Sequence, residues 1–320
     1  MGWWCNMNKY NNLKDVFFDS KFHVGRGMAA YDKSLDPTLF NALLTIDDVM
    51  NSQAAVDLIV LSDKTVDAVL GSDIASGALE KSSIARAVFG NVGLIVNVPG
   101  KLKLIAGDMK EGYFGVVPAS KLITGDALAS AVGISEGTSQ FSDEDWLKFA
   151  WKGNVQFVAK KPIRNSISWN AINTAGCVFG TKTVTIGDAT YKVRLMRAGI
   201  VDPMEAASGV SNHGSEWNRL ILPIHIEAKD KSWAYPANVE ADIPYWGVDF
   251  TDEDLLTKNT FGSGSYSWCQ ETYSSDRVFR GNSGVSYSGI SSPATTSACS
   301  GWRPVLINSG FLFRLLRLRS

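Results

Sequence analysis

Three histidines and four cysteines are the residues of this chain best suited to catalysis or metal binding, and their spacing favours neither. His213, three residues before Glu216 in "SNHGSEWN", is where a Ser/His/acid arrangement would begin. No G-x-S-x-G elbow accompanies it, so a loop histidine is expected. Cys5, Cys177, Cys269 and Cys299 are widely separated, form no C-x-x-C pair and lack a histidine at metal-ligand spacing. Isolated thiols are expected, with a Cys269–Cys299 disulfide as the alternative should their strands be adjacent. No metal or cofactor is expected. The acidic runs Asp143-Glu144-Asp145 and Asp252-Glu253-Asp254 precede helix-like stretches, where carboxylates favour a helix N-terminus. Nothing fixes the separation that paired glycosidase carboxylates need. "GSGSYSWCQ" is rich in Gly and Ser but lacks the Lys-Ser/Thr end of a phosphate loop.

Residues suited to binding are more plentiful. "RVFRGNSG" at 277–284 alternates Arg with apolar residues, and "GWRPVL" returns at 301–306. The planar guanidinium of Arg280 or Arg303 suits a carboxylate partner, and the small neighbour Gly281 allows close backbone approach. Arg277, Arg280 and Arg303, with Trp302, are read as internal struts. Residues 282–300 between them are nearly all Ser, Gly, Thr, Asn, Tyr and Ala around Tyr287, either a recognition surface or a solvated loop. Trp233 and Tyr235 in "DKSWAYPA", and Tyr245 and Trp246 in "IPYWG", adjoin prolines in loops and are candidates for a contact surface. Trp146, Trp169, Trp217 and Trp268 have apolar neighbours and read as core.

These residues must be positioned by a chain of 320 residues, long enough for two or three domains. Its 31 basic and 32 acidic residues give no overall field to attract nucleic acid, and no apolar run reaches the length of a membrane-spanning helix. The opening "MGWWCNMNKYNN" lacks a basic region followed by an apolar one, so no secretory signal is expected. Residues 5–140 hold no tryptophan and eight follow, which implies two differently built cores. The polar stretch 133–145 reads as the linker between them. The expected order is a segment at 1–50, ten-residue repeats at 51–91, a small β-rich segment and linker at 92–140, a domain at 141–307, and a cationic, apolar extension at 308–320. In the repeats, Ser52, Ser62, Ser72 and Ser82 stand in phase. Ten residues do not match whole turns of a straight helix, so each serine reads as the N-cap of a short helix. The repeats are either a stacked spacer or a bent hairpin. Further on, "TKTVTIGDATYKVRLMR" reads as a hairpin about Gly187-Asp188, "SWNAINTAG" as a capped helix, "SEWNRLILPIHI" as a buried segment among β-like pieces, and "TDEDLLTK" as a helix opened by a capping box.

"SYSWCQET", "RVFRGNSG" and "GWRPVL", in that order, resemble the end of the C-type-lectin-like fold of formylglycine-generating enzymes and phage tropism proteins. The longer run from "WLKFAWKGNVQFVAKKPI" to "GWRPVL" resembles a domain recurrent in phage tail and other virion proteins. The resemblance implies an α+β chain whose 141–307 domain is C-type-lectin-like, in a non-enzymatic virion protein such as a tail fibre, with a head fibre or capsid decoration protein as alternative. It implies other virion proteins as partners, a host-surface glycan or protein as ligand, and self-association, expected to be trimeric. The paired cysteines of the oxidases are absent, as are the E-P-N, Q-P-D and W-N-D motifs of calcium-dependent lectins, because Arg219 stands where the acid would follow Trp217-Asn218. A cell-wall-glycan-acting enzyme on the same fold is the rival reading.

Overall fold

The computed structural model describes residues 46–53, 55–56, 78, 81–85, 98–101 and 103–308. Most of the 1–50 segment, most of the repeats and the 309–320 extension therefore lie outside the described residues. Two compact units divide the chain, one of residues 1–103 with 314–320 and one of residues 104–313.

In the first unit, helix α1 spans Ile46–Met50. The hydroxyl of Ser52 accepts from the N–H of Ala55 at 3.4 Å and that of Ser82 from the N–H of Ala85 at 3.1 Å, each three residues on, as an N-cap serine does. Ser82 also donates to the Met50 carbonyl at 2.6 Å. Ser62 and Ser72 lie outside the described residues.

The second unit mixes helix and sheet. Strands β1 (Ala106–Gly107), β2 (Glu111–Val117), β4 (Trp146–Trp151), β5 (Asn154–Ala159), β7 (Phe179–Ile186), β8 (Ala189–Arg194) and β13 (Val305–Asn308) form one antiparallel sheet, ordered β1-β2-β4-β5-β13-β8-β7. A second sheet is ordered β11-β10-β9-β12-β6-β3, from β3 (Thr138–Ser139), β6 (Arg164–Asn165), β9 (Tyr266–Tyr273), β10 (Asp276–Gly281), β11 (Ser288–Ser291) and β12 (Ser300–Trp302). Lys152 and Gly153, both at positive φ (50° and 81°), make the two-residue turn that the right-handed twist of β4 and β5 favours. β7 and β8 pair about Gly187-Asp188 as expected from sequence. Helix α2 (Gly125–Val132) starts at the Thr124 cap, and α3 (Trp169–Thr174) at Ser168.

The linker expected at 133–145 is instead built into this unit. Gln140 donates to the Pro162 carbonyl at 2.9 Å, and Glu136 accepts from the Ser168 N–H at 2.6 Å, so these polar groups are satisfied by the protein. The unit extends back to residue 104 because β2 pairs with β4 along its length. Its core needs no tryptophan there: Tyr113 and Phe114 supply the buried rings. Asp143-Glu144-Asp145 precedes a strand, not a helix, and Glu144 pairs with Lys160 and Lys161 at 3.4 Å each.

Between β8 and β9, residues 195–265 hold short helices and isolated bridges but no extended strand among the described residues. "SEWNRLILPI" is helical, not β: Ser215 caps α4 (Glu216–Leu220), and a 3₁₀ turn at Leu222–Ile224 follows. Trp217, Leu220, Ile221 and Ile224 recur at helical spacing and bury one face in the core. Helices α5 (Glu227–Asp230) and α6 (Asp252–Leu255) complete the region, the latter opened by a full Thr251/Asp254 capping box. The strands "RVFRG" and "GWR" share the second sheet but do not pair with each other, since β9 lies between β10 and β12.

Candidate functional site

Pro236 opens a 3₁₀ turn, Pro236–Asn238, that carries the site. Its last residue, Asn238, is buried and ties three loops together. Its Oδ1 accepts from the Gly209 N–H at 2.7 Å, its Nδ2 donates to the Ser286 carbonyl at 2.9 Å, and its own carbonyl accepts from Asn218 Nδ2 at 2.8 Å. The N–H of Tyr235 donates to Ser286 Oγ at 3.1 Å. These bonds bring Tyr235 against Tyr287, with ring centroids 4.9 Å apart and planes at 73°, an edge-to-face pair. Tyr235 is 36% exposed, while Tyr287 is half-buried and tilts against Phe279 at 6.1 Å. Two of the five candidate contact residues are thus brought together.

No family model, curated protein or solved structure matches this chain.

The other three candidates are placed elsewhere. Trp233 and Trp246 belong to the core cluster of Trp217 and Phe149, which corrects their assignment to a contact surface. Proline neighbours put both in loops, but the loops fold their indoles inward. Tyr245 is exposed, its hydroxyl donating to Asp249 at 2.6 Å, and it makes no ring contact with the tyrosine pair among the described residues.

Beneath the pair lie the arginine struts. Arg280 is fully buried and its Nε donates to the Tyr287 carbonyl at 3.0 Å. The expected carboxylate is absent: no described carboxylate lies within ion-pair distance, and Nη1 and Nη2 have no partner among the described residues. Arg280 and Arg303 instead lie on the indole of Trp217, at 5.6 and 5.5 Å from the ring. Arg303 donates to Ser267 Oγ at 2.9 Å and to the carbonyls of Ala159, Lys160 and Leu255. Burial pulls Arg280 down to about 10 and Arg303 to about 9, so both stay cationic at neutral pH. Arg277 stacks on Trp169 at 4.4 Å, and Trp302 is fully buried.

A titratable cluster is tied to the Tyr287 loop through Val285. Asp252 Oδ1 accepts from the Val285 N–H at 2.8 Å and from Thr257 at 2.6 Å, while Oδ2 pairs with Lys258 at 2.9 Å. His225, 2% exposed, accepts from the Glu227 N–H at Nδ1, which places its proton on Nε2, 3.6 Å from Asp252. Burial lowers His225 to about 4. Burial, then the charge of Asp252, raises Glu227. Asp252 is pushed up by burial, but hydrogen bonds from Thr257 and Lys258 and nearby positive charge hold it below the usual range. Thr251 and Asp254 announced the helix, yet nothing in the sequence announced that Asp252 would hold the Tyr287 loop.

His213 sits in a loop with Nε2 3.2 Å from the Ala237 carbonyl. Glu216 is fully buried against Arg194 at 2.5 Å and also bonds Gln156. Burial pushes Glu216 up, but Arg194 holds it below its ordinary value. Cys177, Cys269 and Cys299 form no disulfide, and burial pushes Cys177 up to about 12 and Cys269 well above its usual value. No metal-binding cluster occurs among the described residues. The arrangement offers aromatic faces, hydroxyls and the half-exposed ammonium of Lys258.

Proposed function

We propose that the chain is a non-enzymatic virion protein, of tail-fibre or related type, whose C-terminal unit is a C-type-lectin-like head that binds a host-surface glycan. The single observation that carries this reading is the Tyr235–Tyr287 pair, assembled on a loop face through a hydrogen bond between Tyr235 and Ser286, 51 residues apart in sequence, and left partly exposed. Aromatic rings stack on the apolar faces of sugars, and the surrounding Ser, Asn and Lys groups supply hydrogen bonds. The motif order of the sequence supports the lectin-like assignment, and so does a long loop-rich excursion set between two sheets. The serine-capped turns at Ser52 and Ser82 support a repeat-bearing stem.

A glycan array probed with the purified protein tests it. Binding to a defined set of host glycans that is lost in both Tyr235→Ala and Tyr287→Ala is the expected result. Glycan turnover would favour the enzymatic alternative, and a flat array would remove the glycan reading. Imaging of purified particles then decides whether the chain is a tail fibre, a head fibre or a decoration protein.

A further inference from the structure

The backbone of residues 284–287, which presents Tyr287, is fixed at each residue by a group outside the loop. The Gly284 N–H donates to the Thr257 carbonyl at 3.0 Å, and the Val285 carbonyl accepts from the Trp217 indole at 2.9 Å. The Ser286 and Tyr287 carbonyls accept from Asn238 and Arg280. Among these bonds, the one made to a carboxylate runs from the Val285 N–H to Asp252 Oδ1 at 2.8 Å. Gly284, at φ 126°, lies so close that a Cβ there would stand 3.7 Å from Asp252 Oδ2. The loop rests on this carboxylate.

His225 stands behind the same oxygen. Its Nε2 is 3.6 Å from Asp252 Oδ1, too far for a hydrogen bond, and has no other partner among the described residues. Nδ1 accepts from the Glu227 N–H at 3.3 Å. A neutral ring suits that place. An imidazolium does not, because its second proton would sit on Nδ1 and face another N–H donor. The carboxylate on that side, Glu227 Oε2, is 4.0 Å away, and burial and the charge of Asp252 favour its neutral form. Asp252, held below the usual range, stays ionised, so it is the anion to which a protonated His225 is drawn. Its Oδ1 is already shared by Val285 and Thr257. Of the other charged groups near the ring, Asp254 favours the cation and Lys258 opposes it. Lys160 lies over the ring of Phe250, which bridges to His225, while Lys229, Asp230 and Glu253 are exposed.

We propose that Asp252 and His225 form an acid-sensitive latch on the tyrosine face: proton uptake at His225 draws Asp252 away from the Val285 N–H and releases residues 284–287. The direction follows from burial. His225 is held at about 4 in the closed structure against 6.5 in water, so the open form takes up the proton first. Opening is therefore favoured as pH falls from about 6.5 towards about 4. Between pH 7 and pH 5 the opening equilibrium should rise about twentyfold. Tyr287 leaves Tyr235 when its loop opens, so the latch regulates the contact face, and its bearing on glycan binding rests on the reading given above.

Hydrogen exchange of the full chain at pH 7 and pH 5, each rate corrected for its intrinsic chemical rate, tests the latch without any glycan. Protection at Val285 is expected to fall about twentyfold in the wild-type chain, while amides of β4 and β5 keep theirs. In His225→Gln, which carries no imidazole, the fall at Val285 is expected to disappear. Unchanged protection at Val285 in wild type, a fall of equal size in β4 and β5, or the same fall at Val285 in His225→Gln overturns the proposal. The first two outcomes are read from the wild-type chain alone and stand whether or not the variant folds. A flat glycan array beside the expected exchange pattern would count against the glycan reading and not against the latch.

Discussion

The Nε–H of Arg280 donates to the carbonyl oxygen of Tyr287 at 3.0 Å, so a fully buried cation holds the backbone of the residue that carries the half-buried ring of the pair. Scaffold and site meet in that bond. Arg280→Ala removes it and leaves a void, and should lower stability by about 2–4 kcal/mol. Arg280→Met refills the volume and removes a buried charge that has no described counter-ion, so it should stay within about 1.5 kcal/mol of wild type. Urea unfolding of both variants measures the difference. Equal losses would mean that the charge itself stabilises the fold.

Tyr235→Ala removes a ring that is 36% exposed, and Tyr287→Ala one that is half-buried. Tyr235→Ala should shift stability by less than about 1 kcal/mol, and Tyr287→Ala by about 1–2 kcal/mol through its lost ring contacts. Each should weaken glycan binding about tenfold or more. Thermal unfolding alongside binding isotherms separates the two effects, and unchanged affinity in both variants would move the recognition surface elsewhere.

Asn238→Ala removes two side-chain hydrogen bonds, each to a different loop. The Gly209 N–H and the Ser286 carbonyl lose their partners, and stability should fall by about 2–4 kcal/mol. Hydrogen exchange should quicken at Gly209 and through 284–288 more than in β4 and β5. Uniform quickening would show that the three loops are not tied through this residue.

His225 makes stability depend on pH. Its native pKa, about 4, lies below the ordinary 6.5 because burial disfavours the imidazolium. The unfolded chain therefore takes up the proton first, and stability is lost as pH falls from about 6.5 to about 4, by roughly 3 kcal/mol. Glu227, raised by burial, contributes with the opposite sign. His225→Gln removes the histidine contribution alone. Wild type should lose about 3 kcal/mol more than the variant between pH 7 and pH 4 in chemical denaturation series. Parallel curves would show that His225 is not buried neutral.

Local chemistry was legible where a short pattern decides the backbone. The Gly187-Asp188 turn, the Ser168 cap and the Thr251/Asp254 capping box involve residues within a few positions of one another. Tyr235 and Tyr287 were legible as loop aromatics, but their meeting was not. It depends on Asn238, whose partners stand 29 and 48 residues away. Trp233 and Trp246 were misplaced for a related reason: a neighbouring proline marks a loop without saying which of its side chains face the core. The 133–145 stretch looked like a linker because Gly, Ser and acids are also what solvated chain contains. The missing carboxylate at Arg280 has no sequence signal, since an indole and a carbonyl stand in its place.

The place of residues 300–308 bears on how the protein is made. β13 joins β5 to β8 in one sheet, and β12 joins β9 to β6 in the other. Until this nine-residue stretch is available, the first sheet is a four-stranded piece and a separate hairpin, and the second is likewise in two pieces. On the ribosome the second unit therefore cannot close until residues 300–308 have left the exit tunnel. Until then the nascent unit carries unpaired strand edges, and closure of both sheets follows as one long-range event.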